Sequence, residues 1–231
     1  MMAESLYTSG QYLEMNPTWH IEESPWKVEH IIPMLKRHHL EPKTICEVGC
    51  GVGEVLRLLQ MQMSDSCTFW GYDISPQAIE MAKERANERL HFKLADIAQE
   101  QDAFFDLILV LDVIEHLEDY FTFLREIKPK SRYKLFQIPL EISIQGVLRG
   151  KIFVGNRDLY GHLHHFTKET AIRTLEDVGY EVIDYSYAPE VFQTKLARLS
   201  RKLLYAVHKD WAVRILGGTR MLVLAENSSY R

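Results

Sequence analysis

No stretch of the 231-residue chain approaches the roughly 20 consecutive apolar residues needed to cross a bilayer. The opening MMAESLYTSG also lacks the basic and apolar regions of a secretion signal. A cytoplasmic protein is expected. Cysteine is scarce: Cys46, Cys50 and Cys67 are odd in number and form no paired metal-binding knuckles, which excludes a disulfide scaffold and points to reduced thiols. Positive charge is not in excess. With 27 Lys and Arg against 32 Asp and Glu, the net charge of −5 offers no global attraction for nucleic acid. Repeats and low-complexity tracts are absent, and 46% apolar with 26% charged residues is the composition of an ordinary folded globular chain.

What is present is an alternation. Strand-like apolar runs at 44–49, 68–74, 90–96, 105–112, 133–139, 181–187 and 221–227 are separated by segments of helical period. That pattern predicts an α/β fold with a Rossmann-like, seven-stranded, mostly parallel sheet and helices on both faces. Residues 1–40 read as an N-terminal helical cap, with Trp19, His20, Trp26 and Lys27 as candidate lid residues, and 41–231 as the main domain. Ser75 before Pro76, and Thr167 with Thr170, are helix-start signals, and Gly179 is a stop.

Directly after the first strand, the chain reads Glu47-Val48-Gly49-Cys50-Gly51-Val52-Gly53 and then becomes amphipathic. Glycines at such a bend permit positive φ and let the backbone lie against a ligand, at the positive end of the following helix. The spacing is not the G-x-G-x-x-G of dinucleotide binding, which disfavours a nicotinamide-dependent oxidoreductase. Asp73, with Ile74 beside it, ends the second strand about 20 residues on, where a carboxylate accepts from ribose hydroxyls. Asp96 ends the third strand, placed to accept from an adenine amino group with the Ile97 backbone at the ring edge. Three acidic strand ends in register describe one nucleoside-sized site.

With these residues in view, the sequence resembles the class I S-adenosylmethionine-dependent methyltransferases over about residues 40–187. EVGCGVGE resembles that family's first motif, and FDLILVLDVIEHLED its fourth-strand motif. GHLHHFT resembles a segment of the small-molecule branch that includes ubiquinone-biosynthesis O-methyltransferases. The resemblance implies S-adenosylmethionine as cofactor, held by Glu47, Gly49, Cys50, Gly51, Gly53, Asp73, Ile74, Asp96 and Ile97. It also implies that Leu111 and Asp112 line the methionine end and that Lys27 meets the cofactor carboxylate. The implied reaction is methylation, of oxygen first, on a small metabolite, sugar or lipid-linked intermediate.

His162 and His165, in the loop 161–167, are the candidate catalytic bases, with His162 preferred. No metal is expected from the triplet His162, His164 and His165, because no further ligand pattern joins it. His116 reads as a residue orienting the fourth-strand turn, and Glu115 as a helix cap. The loop 140–165 is expected to shape the acceptor pocket. The segment 192–220 carries Lys195, Arg198, Arg201, Lys202, Lys209, Arg214 and Arg220 against Asp210, so it reads as a basic amphipathic segment. Its basic face meets either water or the membrane surface of a lipid-linked substrate. The expected partner is a small-molecule acceptor, with no nucleic acid, in a monomer or homodimer. A nucleoside-binding module without chemistry is the other alternative.

Overall fold

The computed structural model describes residues 6–189 and 204–230. All seven expected strands form: β1 Thr44–Val48, β2 Thr68–Asp73, β3 Leu90–Leu94, β4 Phe105–Leu111, β5 Ser131–Pro139, β6 Tyr180–Pro189 and β7 Thr219–Asn227. They make one sheet in the order β3-β2-β1-β4-β5-β7-β6. Every pairing from β3 to β5 is parallel, and only β7 runs antiparallel, between β5 and β6. Because β7 runs backwards, its first residues lie at the edge where the parallel strands end, with Arg220 opposite Pro139.

The alternation of side chains along a strand sorts the core into two layers. Cys46, Ile108, Val110, Phe136 and Val223 belong to one apolar cluster, with Leu124 and Ile127 of α5 (Tyr120–Ile127) and Ala171 and Leu175 of α8 (Lys168–Asp177). Ile45, Leu107, Leu109, Leu135 and Leu224 belong to the other, which includes Val28, Ile31, Met34 and Leu35 of α2 (Ser24–Arg37). Leu56 and Leu59 of α3 (Glu54–Gln60) and Ile79 of α4 (Pro76–Ala82) complete that layer. Thus α2, read as part of a cap, is built into the sheet's own helical layer. Before it, Tyr7, Tyr12 of the short α1 (Gln11–Met15), Trp19 and His20 line the cleft at the carboxyl edge of the strands.

The caps follow the sequence signals. Ser75 accepts from the Ala78 N–H, Thr167 and Thr170 form a reciprocal capping box, and Gly179 closes α8 at φ +81°. The segment expected as a loop after β5 instead folds into two helices, α6 (Ile144–Arg149) and α7 (Lys151–Tyr160). Ser143 starts the first by accepting from the Gly146 N–H, and Gly150 at φ +66° separates the two. In the basic segment, 192–203 lie outside the described residues, and α9 (Lys209–Leu216) precedes β7. No helix among the described residues is long and apolar enough to cross a membrane. All three cysteines are free and buried.

Candidate active site

The carboxyl ends of the parallel strands open into a cleft of about 1260 Å³, the edge at which open α/β sheets bind ligands. Single small-molecule pockets usually fall at roughly 300–1,000 Å³. This one has room for a cofactor and an acceptor together.

The glycine loop forms its floor. Gly49, Gly51 and Gly53 all have positive φ, from +52° to +77°. At Gly51, a Cβ would meet only the Trp19 ring, at 3.7 Å, so the backbone faces the cleft bare. Gly53 plays a different part: it caps α3, does not line the cleft, and a Cβ there would lie 2.3 Å from the Phe92 ring. Cys50 lines the floor beside Gly51, and burial keeps its thiol well above the usual cysteine range.

Asp73 staples this loop. One carboxylate oxygen accepts from the Gly51 N–H at 2.8 Å and the other from the Ser75 N–H at 2.8 Å. An ionised carboxylate has about four acceptor positions, more than the backbone donors use, so acceptor capacity remains for a diol hydroxyl. Burial raises its pKa, opposed by those backbone donors. Ile74 lines the cleft next to it. Asp96 is exposed and accepts from the Ala98 N–H at 2.9 Å, so it caps the short turn Ile97–Gln99 while Ile97 is fully buried against the cleft.

On the other side of the loop stands a charged cluster. Asp112 follows β4 with φ +56°, a left-handed conformation uncommon for a non-glycine residue. Its Oδ2 accepts from Lys27 Nζ at 2.9 Å and Gln137 Nε2 at 2.7 Å, and its Oδ1 lies 3.3 Å from Arg220 Nε. Burial alone would raise the Asp112 carboxyl, but Lys27 and Arg220 overcome it and hold the group well below the carboxylate range. Arg220 also reaches Glu23 at 3.0 Å and lies over the Trp26 ring. Expected on an amphipathic basic face, Arg220 instead points into the cleft, because β7 starts at this edge of the sheet. Lys27 thus meets a carboxylate of the protein itself in this structure. Leu111 is buried beside them and lines the cleft.

Glu47 lies below, 3% exposed, and its Oε2 has no hydrogen-bond partner among the described residues. Burial pushes its pKa up to about 8, with nearby Lys27 opposing and Asp73 adding.

The end of the cleft beyond β5 is built by residues far apart in sequence. Glu141, just beyond β5, receives His162 Nδ1 at 2.7 Å and Asn156 Nδ2 at 2.5 Å on Oε1, and His165 Nδ1 on Oε2. Burial would raise Glu141, yet the two histidines hold it below its ordinary value. His162 lines the cleft. His165 does not: it packs against Phe153. His164 binds the Leu117 carbonyl at 2.9 Å, so the triplet does not converge. Glu115 caps no helix; Asp119 does that for α5, by accepting from the Thr122 N–H. The Glu115 side chain is instead fully buried beside His116. Tyr7, Glu141 and Arg220 were not foreseen as site residues, since nothing local in their sequence marks them.

The comparisons with known proteins identify the frame. Residues 22–185 match the family model described as a methyltransferase domain. The chain belongs to this family, the class I S-adenosylmethionine-dependent methyltransferases. Norajmaline N-methyltransferase of Rauvolfia serpentina is 31% identical over 93 residues, which are 37% of this chain and 31% of that protein. The chain thus matches about a third of the length of the curated relatives. Among solved structures, magnesium protoporphyrin IX methyltransferase from Synechocystis PCC 6803, with bound SAH, superposes with a TM-score of 0.62 at 17% identity, covering 90% of this chain and 85% of that one. The N-methyltransferase NodS from Bradyrhizobium japonicum WM9, with S-adenosyl-L-homocysteine, gives 0.58 at 18% identity, with 91% of each chain covered. These two likenesses concern the fold.

The methyltransferase cleft fits its cofactor on its own features. The unpartnered Glu47 oxygen suits an ammonium, the bare Gly51 backbone suits close approach of the aminopropyl chain, and the Asp73 carboxylate suits the ribose.

Proposed function

We propose that this methyltransferase alkylates an oxygen of a small acceptor, a metabolite, sugar or lipid-linked intermediate, with His162 taking the acceptor proton. The observation that carries the reading is the Glu141–His162 pair, which shares the cleft with the glycine loop. The ionised Glu141 carboxylate is an acceptor only, so His162 Nδ1 is its donor and Nε2 holds the free lone pair. A base so oriented accepts a hydroxyl proton as the nucleophile forms. S-Adenosylmethionine supplies an activated methyl group. The protein's own work is alignment and exclusion of water: Asp73 and Asp96 hold ribose and adenine, Glu47 the ammonium, and Trp19 with Tyr12 covers the glycine loop. Residues 1–40 then act as lid and first layer helix of one domain.

Exposed Val147, Leu148, Val154 and Leu159 on α6 and α7, beside the cleft-lining Arg149 and Ile152, favour an acceptor with an apolar portion. Nitrogen methylation is the second reading, favoured by the N-methyltransferase activity in the curated relatives' names. The test is incubation of purified protein with methyl-labelled S-adenosylmethionine and fractionated cell metabolites, read by mass spectrometry. Label on a hydroxyl, lost with His162→Ala, supports the reading; label on an amine supports the second. Tight cofactor binding with no labelled product in any fraction would leave a binding module.

A further inference from the structure

Glu115, His116 and His162 bring their ligand atoms within 4.8 Å of one another, although His162 lies far along the chain from the other two. The hydrogen bonds around them fix which atoms carry lone pairs. The Tyr7 hydroxyl contacts His116 Nδ1 at 3.0 Å and the Tyr160 carbonyl at 3.3 Å; donation to the carbonyl, which can only accept, pairs with acceptance from Nδ1 and is the arrangement that frees Nε2 of His116. Glu141 likewise fixes the proton of His162 on Nδ1. In each imidazole, Nε2 is left as an unprotonated acceptor.

Between them stands the Glu115 carboxylate, 0% exposed, with neither oxygen hydrogen-bonded among the described residues. Its Oε1 is 3.9 Å from His116 Nε2, too far for a hydrogen bond. The cluster therefore presents acceptors and no donor. A buried carboxylate with no partner is strongly disfavoured, and Asp112 and Glu141 add further negative charge around it.

We propose that Glu115, His116 and His162 form a binding site for a divalent transition-metal cation. Two imidazoles and a carboxylate suit ions such as Zn2+ or Co2+, with open positions left on the cleft side. Bonds of about 2.0–2.2 Å place ligand atoms up to about 4 Å apart, so the three side chains close on the ion by small rotations. Tyr7 and Glu141 are the outer partners that metal-bound histidines characteristically have, and they set the tautomer that leaves Nε2 free. This deepens the proposed function and rests on it for the acceptor: with the cation bound, a coordinated acceptor hydroxyl would be acidified and lose its proton to solvent, so that His162 would serve the same step by holding the ion instead of taking the proton itself.

The test uses the full-length chain stripped with EDTA and titrated with Co2+, followed by visible absorption and calorimetry. One Co2+ per chain is expected, with d–d bands of nitrogen and oxygen ligation, and affinity at least tenfold weaker in both Glu115→Gln and His162→Ala. S-Adenosylhomocysteine affinity should be unchanged in Glu115→Gln, which serves as the control for folding. Should that variant not fold, His162→Ala with the same control carries the test. No stoichiometric Co2+, or binding equal in wild type and variants, would overturn the site and leave Glu115 a buried neutral acid. Failure to bind S-adenosylhomocysteine would count against the proposed function and not against the cation site.

Discussion

Glu47 gives a prediction that links the cofactor site to proton uptake. Its carboxyl is raised from 4.5 to about 8, chiefly by burial, and one of its oxygens lacks a partner. A cofactor ammonium placed against that oxygen favours the ionised form, so binding must release a proton wherever free Glu47 is still protonated. A group with a pKa of about 8 is roughly a tenth ionised at pH 7 and a hundredth at pH 6. S-Adenosylhomocysteine affinity should therefore rise by up to about tenfold per pH unit between pH 5.5 and 7.5, with close to one proton released. Calorimetry in buffers of different ionisation enthalpy reads both quantities. Glu47→Gln should abolish the release and flatten the profile. At pH 7.5, Glu47→Gln, which keeps only what the neutral acid offers, should bind about 2.5 kcal/mol more weakly, roughly seventyfold in affinity.

The same shift has an opposite consequence for the free protein. A carboxyl whose folded pKa is raised stabilises the fold below its unfolded pKa, and that contribution is lost as pH rises through about 8. The stability attributable to Glu47 should fall between pH 5 and 8, by at most about 1.4 kcal/mol per unit, and Glu47→Gln should remove that slope. A wild-type affinity independent of pH over this range, or a Glu47→Gln profile identical to it, would refute the reasoning.

His162→Ala should lower kcat by about 10²–10⁴-fold with little change in the KM for S-adenosylmethionine, whereas Glu141→Gln, which removes only the orienting partner, should lower kcat by a smaller factor in the same steady-state assay. An unaltered kcat in His162→Ala would end its role as activating group. Gly53→Ala combines a left-handed backbone with a methyl 2.3 Å from Phe92, and should destabilise by about 2–4 kcal/mol in urea unfolding. Phe92→Ala in the same chain should make the added cost of Gly53→Ala smaller; equal cost in both backgrounds would show that the ring is not the obstacle.

The strands were legible because their signal is local. Alternate residues of Leu107, Ile108, Leu109 and Val110 serve opposite faces of the sheet, so the run is apolar throughout and bounded by polar residues. The glycine loop and Asp73 were legible as positions, but the double backbone grip of Asp73 on Gly51 and Ser75 was not, since hydrogen bonding across the loop depends on its folded path. The acceptor end was the least legible part. Tyr7 meets His116 across 109 residues and His162 meets Glu141 across 21, so no spacing rule joins them. The antiparallel insertion of β7 turned Arg220 from an apparent surface charge into a partner of Asp112. Helices α6 and α7 escaped notice because their apolar residues are largely exposed, which leaves a weak buried stripe to read from sequence.

The most direct measurement of the central claim is calorimetric titration of S-adenosylhomocysteine into the wild-type protein and Asp73→Ala. The account predicts one site per chain in the wild type and a severe loss of affinity in the variant, because the carboxylate holds the Gly51 backbone and is proposed to meet the ribose. Equal affinity in the two proteins would contradict it.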